Sequence, residues 1–197
     1  MTEMKSAWEK AMEKTENLGK LTEDELKQIE YVPIGNRLAA KFLELEKSSN
    51  ELETELSKHK GTGTRKFIIQ GAQEIFLRNI NLPHNDRDPQ VAKKAMAGLK
   101  LLKENKNQLD AIFERIENQF NYYTQARQQA FNQFKQSFEE KVRQAGPALQ
   151  QQMKNAAALE AGLQQQFQEE WRRIGSQLDA QYEKALEEQK ELILKIA

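Results

Sequence analysis

Residues 109–145 read LDAIFERIENQFNYYTQARQQAFNQFKQSFEEKVRQA, and their apolar side chains recur every eleven positions. A second stretch, close to the C-terminus, has the same period. The clearest series are Leu109, Phe120, Phe131 and Val142 in the first stretch and Leu163, Ile174, Ala185 and Ile196 in the second. An eleven-residue repeat corresponds to about 3.67 residues per turn, which predicts two nearly straight helices packed along each other, similar to a coiled coil.

Gly146 and Pro147 separate the two repeating stretches. Glycine commonly follows the last residue of a helix, and proline commonly opens the next one. We therefore predict a long antiparallel helical hairpin over residues 89–197, with its turn at 145–147. In that register the numbers of facing residues sum to roughly 290, so Arg127 faces Glu160. Because both charges interrupt the apolar repeat, we predict that they form an ion pair.

Shorter helical patterns fill residues 1–88. Two capping boxes start helices, Ser6 with Glu9 and Thr22 with Glu25. Pro33 and Gly35 predict a turn, which is followed by a helix over residues 37–59. Residues 65–80 are apolar on nearly every side, which indicates a buried helix in which Gly71 permits close approach of a neighbour. The sequence thus predicts an all-α fold: a small N-terminal helical base at 1–88 and the hairpin at 89–197.

Composition excludes several classes of protein. The chain has 30 basic and 30 acidic residues, two histidines and no cysteine. Disulfide frameworks, zinc fingers and iron–sulfur sites all need cysteine. A net charge of zero provides no general electrostatic footprint for nucleic acid, so we expect no nucleic-acid partner. We expect neither a signal peptide nor integral membrane association, and a cytoplasmic location.

The sequence carries no recognisable catalytic or cofactor-binding motif, so we expect a protein without enzymatic activity and without a cofactor. One loop provides an alternative. His84, Asn85, Asp86 and Asp88 are residue types that bind divalent cations, although Asp88 is also predicted as the N-cap of the helix that Pro89 opens. A metal-binding or enzymatic protein that uses the 84–88 loop therefore stays a second alternative.

The distal part of the hairpin is polar but poorly charged. Residues 118–168 contain 14 glutamines and eight charged side chains. A solvated face made of good helix formers explains this composition; a contact surface is the alternative, because an uncharged polar face costs less to desolvate than a charged one. The residues that we expect in this surface are Tyr122, Gln129, Gln133, Gln151 and Gln165.

These features favour a non-enzymatic helical scaffold or protein–protein interaction module, with an unidentified protein partner. A two-helix arm buries little apolar area, and pairing two arms into a four-helix bundle buries more, so we also expect a homodimer. The alternative is an amphipathic coat protein that lays its apolar helix faces on a lipid or hydrophobic granule. The excess of Lys and Arg that usually flanks such faces is missing.

Overall fold

The computed structural model describes residues 22–44, 49–85, 87–152 and 156–196. Throughout this part of the chain the regular secondary structure is helical, which confirms the all-α fold. The helices are α1 (Glu23–Glu44), α2 (Ser49–Lys58), α3 (Arg65–Arg78), α4 (Asp88–Leu102), α5 (Lys106–Gln152) and α6 (Ala156–Lys195). None of the helices in these ranges is long and apolar enough to cross a membrane. The helix predicted to begin at Ser6 and Glu9 lies outside the described residues.

The chain divides into two compact units, Met1–Arg78 and Asn79–Ala197. The division falls between Arg78 and Asn79 and not after residue 88, so the loop before α4 belongs to the second unit. Leu82 of this loop is buried, and the imidazole Nδ1 of His84 lies 3.0 Å from the hydroxyl of Tyr123, which joins the loop to α5 within the second unit.

In the first unit, α1 begins at the predicted capping box. The Thr22 N–H donates to Glu25 Oε2 at 2.7 Å, and the Glu25 N–H donates to Thr22 Oγ1 at 3.3 Å. Glu25 Oε2 also accepts the Thr22 hydroxyl at 2.8 Å, and the two hydrogen bonds from the Thr22 N–H and hydroxyl hold the pKa of the Glu25 carboxyl below its usual value. The helix then continues through Pro33 and Gly35 to Glu44, so the turn predicted there is wrong.

Gly35 lies where α1 crosses α3, and not in a turn. A Cβ atom on Gly35 would lie 2.0 Å from the Ile68 carbonyl oxygen, and one on Gly71 would lie 2.2 Å from the Val32 carbonyl oxygen. Backbone therefore packs on backbone where α1 crosses α3, and a side chain at either glycine has no room. The close approach predicted at Gly71 is present.

Helix α3 is the buried element that the sequence predicts, with Ile68, Ala72 and Phe76 fully shielded from solvent. The helix predicted over residues 37–59 is divided between α1 and α2, and residues 45–48 lie outside the described part. Leu52 and Leu56 of α2 are buried as part of the same core.

In the second unit, α4 begins with a reciprocal pair of side-chain caps. Asn85 Oδ1 accepts the N–H of Asp88 at 3.2 Å, and Asp88 Oδ2 accepts the N–H groups of His84 and Asn85 at 2.9 and 3.2 Å. Asp88 is the first helical residue and Arg87 occupies the N-cap position, so the prediction of Asp88 as N-cap is wrong by one residue. Asn85 Oδ1 supplies the side-chain acceptor for the first N–H of the helix.

Helices α5 and α6 pack antiparallel. Helix α5 continues through Gly146 and Pro147 to Gln152, so the predicted turn at 145–147 is wrong. The pairs in contact are Gln119 with Tyr182, Tyr123 with Asp179, Phe131 with Trp171, and Phe134 with Phe167. Their numbers sum to about 301, which differs from the predicted register by about one eleven-residue repeat.

Candidate functional site

A cluster of polar side chains lies within the largely apolar contact between α5 and α6. At its centre is Tyr123, whose side chain is fully buried. Its hydroxyl donates to Asp179 Oδ1 at 2.7 Å and accepts a hydrogen bond from Arg127 Nη1 at 2.8 Å. The third neighbour of the hydroxyl is His84 Nδ1 at 3.0 Å, which comes from the loop before α4.

The chemistry of the groups assigns the protons in this cluster. A carboxylate only accepts, so the single proton of the Tyr123 hydroxyl is directed at Asp179. The hydroxyl oxygen must then accept from both of its other neighbours. His84 therefore carries a proton on Nδ1, and Nε2 is the ring nitrogen that remains for other partners.

Burial raises the pKa of the Tyr123 hydroxyl above its ordinary value, and the hydrogen bond to Asp179 raises it further. The attraction of Arg127 acts in the opposite direction but is smaller. The hydroxyl consequently stays protonated at physiological pH. It can hold its neighbours in place, but it is not suited to act as a base or a nucleophile.

Arg127 pairs with Asp179, at 2.6 Å between Nη1 and Oδ1, and not with Glu160. The predicted Arg127–Glu160 pair is therefore wrong, because the register differs from the predicted one by about one repeat. Glu160 is exposed on α6. The side chains of Arg127 and Asp179 are 30% and 21% exposed, so the pair lies at the edge of the buried contact.

Aromatic rings and a glycine hold the guanidinium of Arg127 in place. It lies 5.8 Å from the ring centre of Tyr123 and 5.7 Å from that of Trp171. Gly175 also lies beside it, and a Cβ atom there would be 3.7 and 3.8 Å from Arg127 Nη1 and Nη2. Phe131 packs edge-on against Trp171 at 5.0 Å. The cation is therefore fixed in one orientation.

An open cleft of about 330 Å³ lies beside this cluster and exposes part of it. Its walls come from the loop before α4 and from α4, α5 and α6. The lining residues are Pro83, His84, Asn85, Pro89, Thr124, Arg127, Gln128, Phe131 and Trp171. The cleft thus combines a fixed cation, an imidazole and two aromatic surfaces.

Four of the five residues predicted for the contact surface have described side chains, and none of these four lines the cleft. Tyr122 is 66% exposed, and Gln129, Gln133 and Gln165 are exposed as well. Gln165 donates to Glu169 one turn along α6 at 3.0 Å. Gln151 belongs to α5, but its side chain lies outside the described part of the structure.

Tyr122, Gln129 and Gln133 share one face of α5, because spacings of seven and four residues nearly complete whole helical turns. The same spacing adds further exposed and uncharged side chains to this face. We call the set the uncharged stripe; its members are Asn118, Tyr122, Gln125, Gln129, Gln133 and Gln136. At 1.5 Å per residue the stripe is about 27 Å long.

In the described structure, two side chains of the 84–88 loop make contacts within the protein. Asp88 accepts backbone N–H groups, and His84 bonds to Tyr123. Among the residues whose positions are described, no group of three or more His, Asp or Glu is placed to hold a metal ion. Asp86 lies outside them.

Comparison with protein families gives one match. The model of a family of unknown function, DUF6657, matches residues 53–195, from within α2 to the last residue of α6. The chain belongs to this family. The match includes every residue of the polar cluster and of the cleft. No curated protein matches the chain significantly, and no solved structure does so.

Sequence reasoning missed Tyr123 and Asp179 as a pair, and it missed the role of His84. One signal was present: Asp179 lies beside Leu178, on the apolar face of the second repeating stretch, where a carboxylate needs a partner. Finding that partner required the register, which the sequence left open.

Proposed function

We propose that the protein is a non-enzymatic helical scaffold or protein–protein interaction module, and that the uncharged stripe on α5 is its contact surface. The observation that carries this proposal is the stripe itself. Five turns of one long helix present exposed side chains without a formal charge, including a tyrosine that is two-thirds exposed. Tyrosine is enriched in protein interfaces, and neutral polar side chains are cheaper to desolvate than charged ones.

The packing between α5 and α6 supports this proposal over the amphipathic coat. Large apolar side chains that such a coat would lay on a lipid or granule already fill the contact between the two helices. Leu109, Ile116 and Ile193 are fully shielded from solvent. Opening the pair would expose this apolar surface and separate Arg127 from Asp179. Binding to a lipid or granule would have to offset both free-energy costs.

The polar cluster also fits a protein without enzymatic activity. Arg127 and Asp179 neutralise each other, and Tyr123 keeps its proton, so each group stabilises the helix pair. Such a cluster is typical of a structural contact that fixes two helices in one register.

The test introduces charge into the stripe of the full-length chain. A photo-crosslinking amino acid replaces Tyr122, and crosslinked products are compared with and without the added substitutions Gln129→Glu and Gln133→Glu. We expect a defined partner whose crosslinking is lost with the two glutamates. Gln108→Glu, an exposed glutamine of α5 outside the stripe, is the matched control and should leave crosslinking unchanged. Equal crosslinking by the charged and control variants would refute the stripe as contact surface.

A second copy of the chain is the first partner to examine, because a two-fold axis would place the uncharged stripes of two arms against each other in a four-helix bundle. Sedimentation equilibrium measures this directly. We expect a homodimer that dissociates on Gln129→Glu and Gln133→Glu. A chain that is monomeric at all concentrations would direct the search to a different protein, and a dimer indifferent to both substitutions would place the dimer contact elsewhere.

A further inference from the structure

One edge of the Arg127 guanidinium is unused. Both of its hydrogen bonds leave from Nη1, one to Tyr123 and one to Asp179. Within the described residues, Nε and Nη2 have no hydrogen-bonding partner, and neither is among the buried polar atoms that lack one. Three N–H groups of a partly exposed cation are therefore accessible, and Arg127 lines the cleft.

This edge is ordered before any ligand arrives. The ion pair with Asp179, the rings of Tyr123 and Trp171 and the backbone at Gly175 confine the guanidinium. A ligand that binds there does not have to immobilise a flexible arginine, which removes a common cost of binding. The Nε–Nη2 edge presents two parallel N–H groups, the geometry that matches the two oxygens of a carboxylate.

We infer that the cleft binds a carboxylate group that is carried on a flat or apolar body. The carboxylate pairs with the free edge of Arg127, and the body packs against Trp171 and Phe131. The charge of the site favours a single negative charge, because Asp179 already offsets Arg127 and would repel the second charge of a phosphate. A volume of about 330 Å³ lies at the lower end of small-ligand sites, which suits one ring with its acidic group.

Two sources can supply this chemistry, a free aromatic acid or an acidic side chain next to an apolar residue of a protein. The probes are therefore phenylacetate and the blocked dipeptide acetyl-Phe-Glu-amide. Binding is followed by the fluorescence of Trp171 in a full-length Trp8→Phe chain, in which Trp171 is the remaining tryptophan. We expect saturable binding with a dissociation constant of about 1 mM or tighter for at least one probe. The tighter of the two identifies the source.

Matched analogues test the charge. Benzylammonium, with the opposite charge, and phenyl phosphate, with a second negative charge, should each bind at least about tenfold more weakly than phenylacetate. Equal or tighter binding of either analogue would overturn the assignment of a carboxylate. Absence of saturable binding of both carboxylate probes up to about 10 mM would overturn the site itself.

Two variants test the residues. Arg127→Lys keeps the charge and removes the planar edge, and we expect about tenfold weaker binding of phenylacetate. Gln128 is exposed, so Gln128→Glu should fold normally. A carboxylate in the cleft wall should weaken the binding of phenylacetate at least about threefold and strengthen the binding of benzylammonium. Gln136→Glu, exposed on the same helix but outside the cleft, is the control and should change neither. Unchanged affinity in Gln128→Glu would contradict the inference even if Arg127→Lys failed to fold.

This site is separate from the uncharged stripe. Loss of carboxylate binding leaves the proposed protein contact intact, and loss of crosslinking through the stripe leaves the cleft intact. The two proposals therefore fail independently.

Discussion

Removing the carboxylate of Asp179 should be among the most destabilising changes between α5 and α6. Asp179 accepts hydrogen bonds from the fully buried Tyr123 hydroxyl at 2.7 Å and from Arg127 at 2.6 Å. In Asp179→Ala the tyrosine hydroxyl loses its acceptor, which costs about 1–3 kcal/mol for a buried donor. Arg127 loses its counter-ion, but with 30% exposure it recovers part of its solvation, so we add only about 1 kcal/mol. We expect the free energy of unfolding to fall by about 2–4 kcal/mol.

Urea unfolding followed by circular dichroism measures this change, and a double-mutant cycle with Tyr123→Phe assigns it. The two single changes should not add, because the second removes a group that the first has already left without a partner. We expect a coupling energy of about 1 kcal/mol or more. Glu139→Ala is the control, because its contact with Lys135 at 4.0 Å is exposed and should contribute less than about 0.5 kcal/mol. A fall below about 0.5 kcal/mol for Asp179→Ala, or strict additivity in the cycle, would refute the role assigned to the cluster.

Three further predictions concern the crossing of α1 and α3, the register of α5 and α6, and the Tyr123 hydroxyl. Gly71→Ala should destabilise by about 2–3 kcal/mol in urea unfolding, because its Cβ would lie 2.2 Å from the Val32 carbonyl oxygen. Gly162→Ala is the control: its Cβ would have no neighbour within 4 Å, and it should stabilise by up to about 1 kcal/mol. Similar values for the two variants would argue against the crossing of α1 and α3. Glu160→Ala should change the free energy of unfolding by less than about 0.5 kcal/mol, and a larger loss would favour the register in which Glu160 is paired. Folding raises the pKa of the Tyr123 hydroxyl, so with rising pH the unfolded chain loses the hydroxyl proton before the folded chain does. The stability that is present below about pH 10 is therefore lost as the pH rises, by up to about 1.4 kcal/mol per pH unit. Measured between pH 9 and 11, roughly, this decline should be shallower in Tyr123→Phe, and an identical slope would contradict it.

The sequence predicts which positions of the long helices are apolar, but not which of them meet. An eleven-residue repeat looks the same after one helix slides by eleven positions, so Phe131 finds an apolar partner in either register. The location of the turn was the remaining clue, and Gly146 and Pro147 misplace it because α5 continues to Gln152. The polar groups distinguish the registers, since only the observed one brings Tyr123 to Asp179.

A similar ambiguity explains the error in the first unit. Pro33 and Gly35 together are typical of a turn, and local sequence alone favours that interpretation. Gly35 is instead required by a partner more than thirty residues away, Ile68 on α3, whose carbonyl leaves no space for a side chain. The candidate site is less predictable still, because its members come from the loop before α4, from α5 and from α6. Only Arg127 was recognised in advance as a charge that needs a partner, and the partner itself was wrong.

The crossing of α1 over α3 determines where the family region can be cut. The family match begins at residue 53, so it contains Gly71 and the Ile68 carbonyl but not α1, which covers them. Ala39, fully shielded from solvent in the intact chain, belongs to this missing cover. A fragment trimmed to residues 53–195 would present a bare apolar groove with backbone at its floor, a surface prone to self-association. Expression of the family region as a soluble fragment should therefore begin at or before Thr22, where the capping box starts α1.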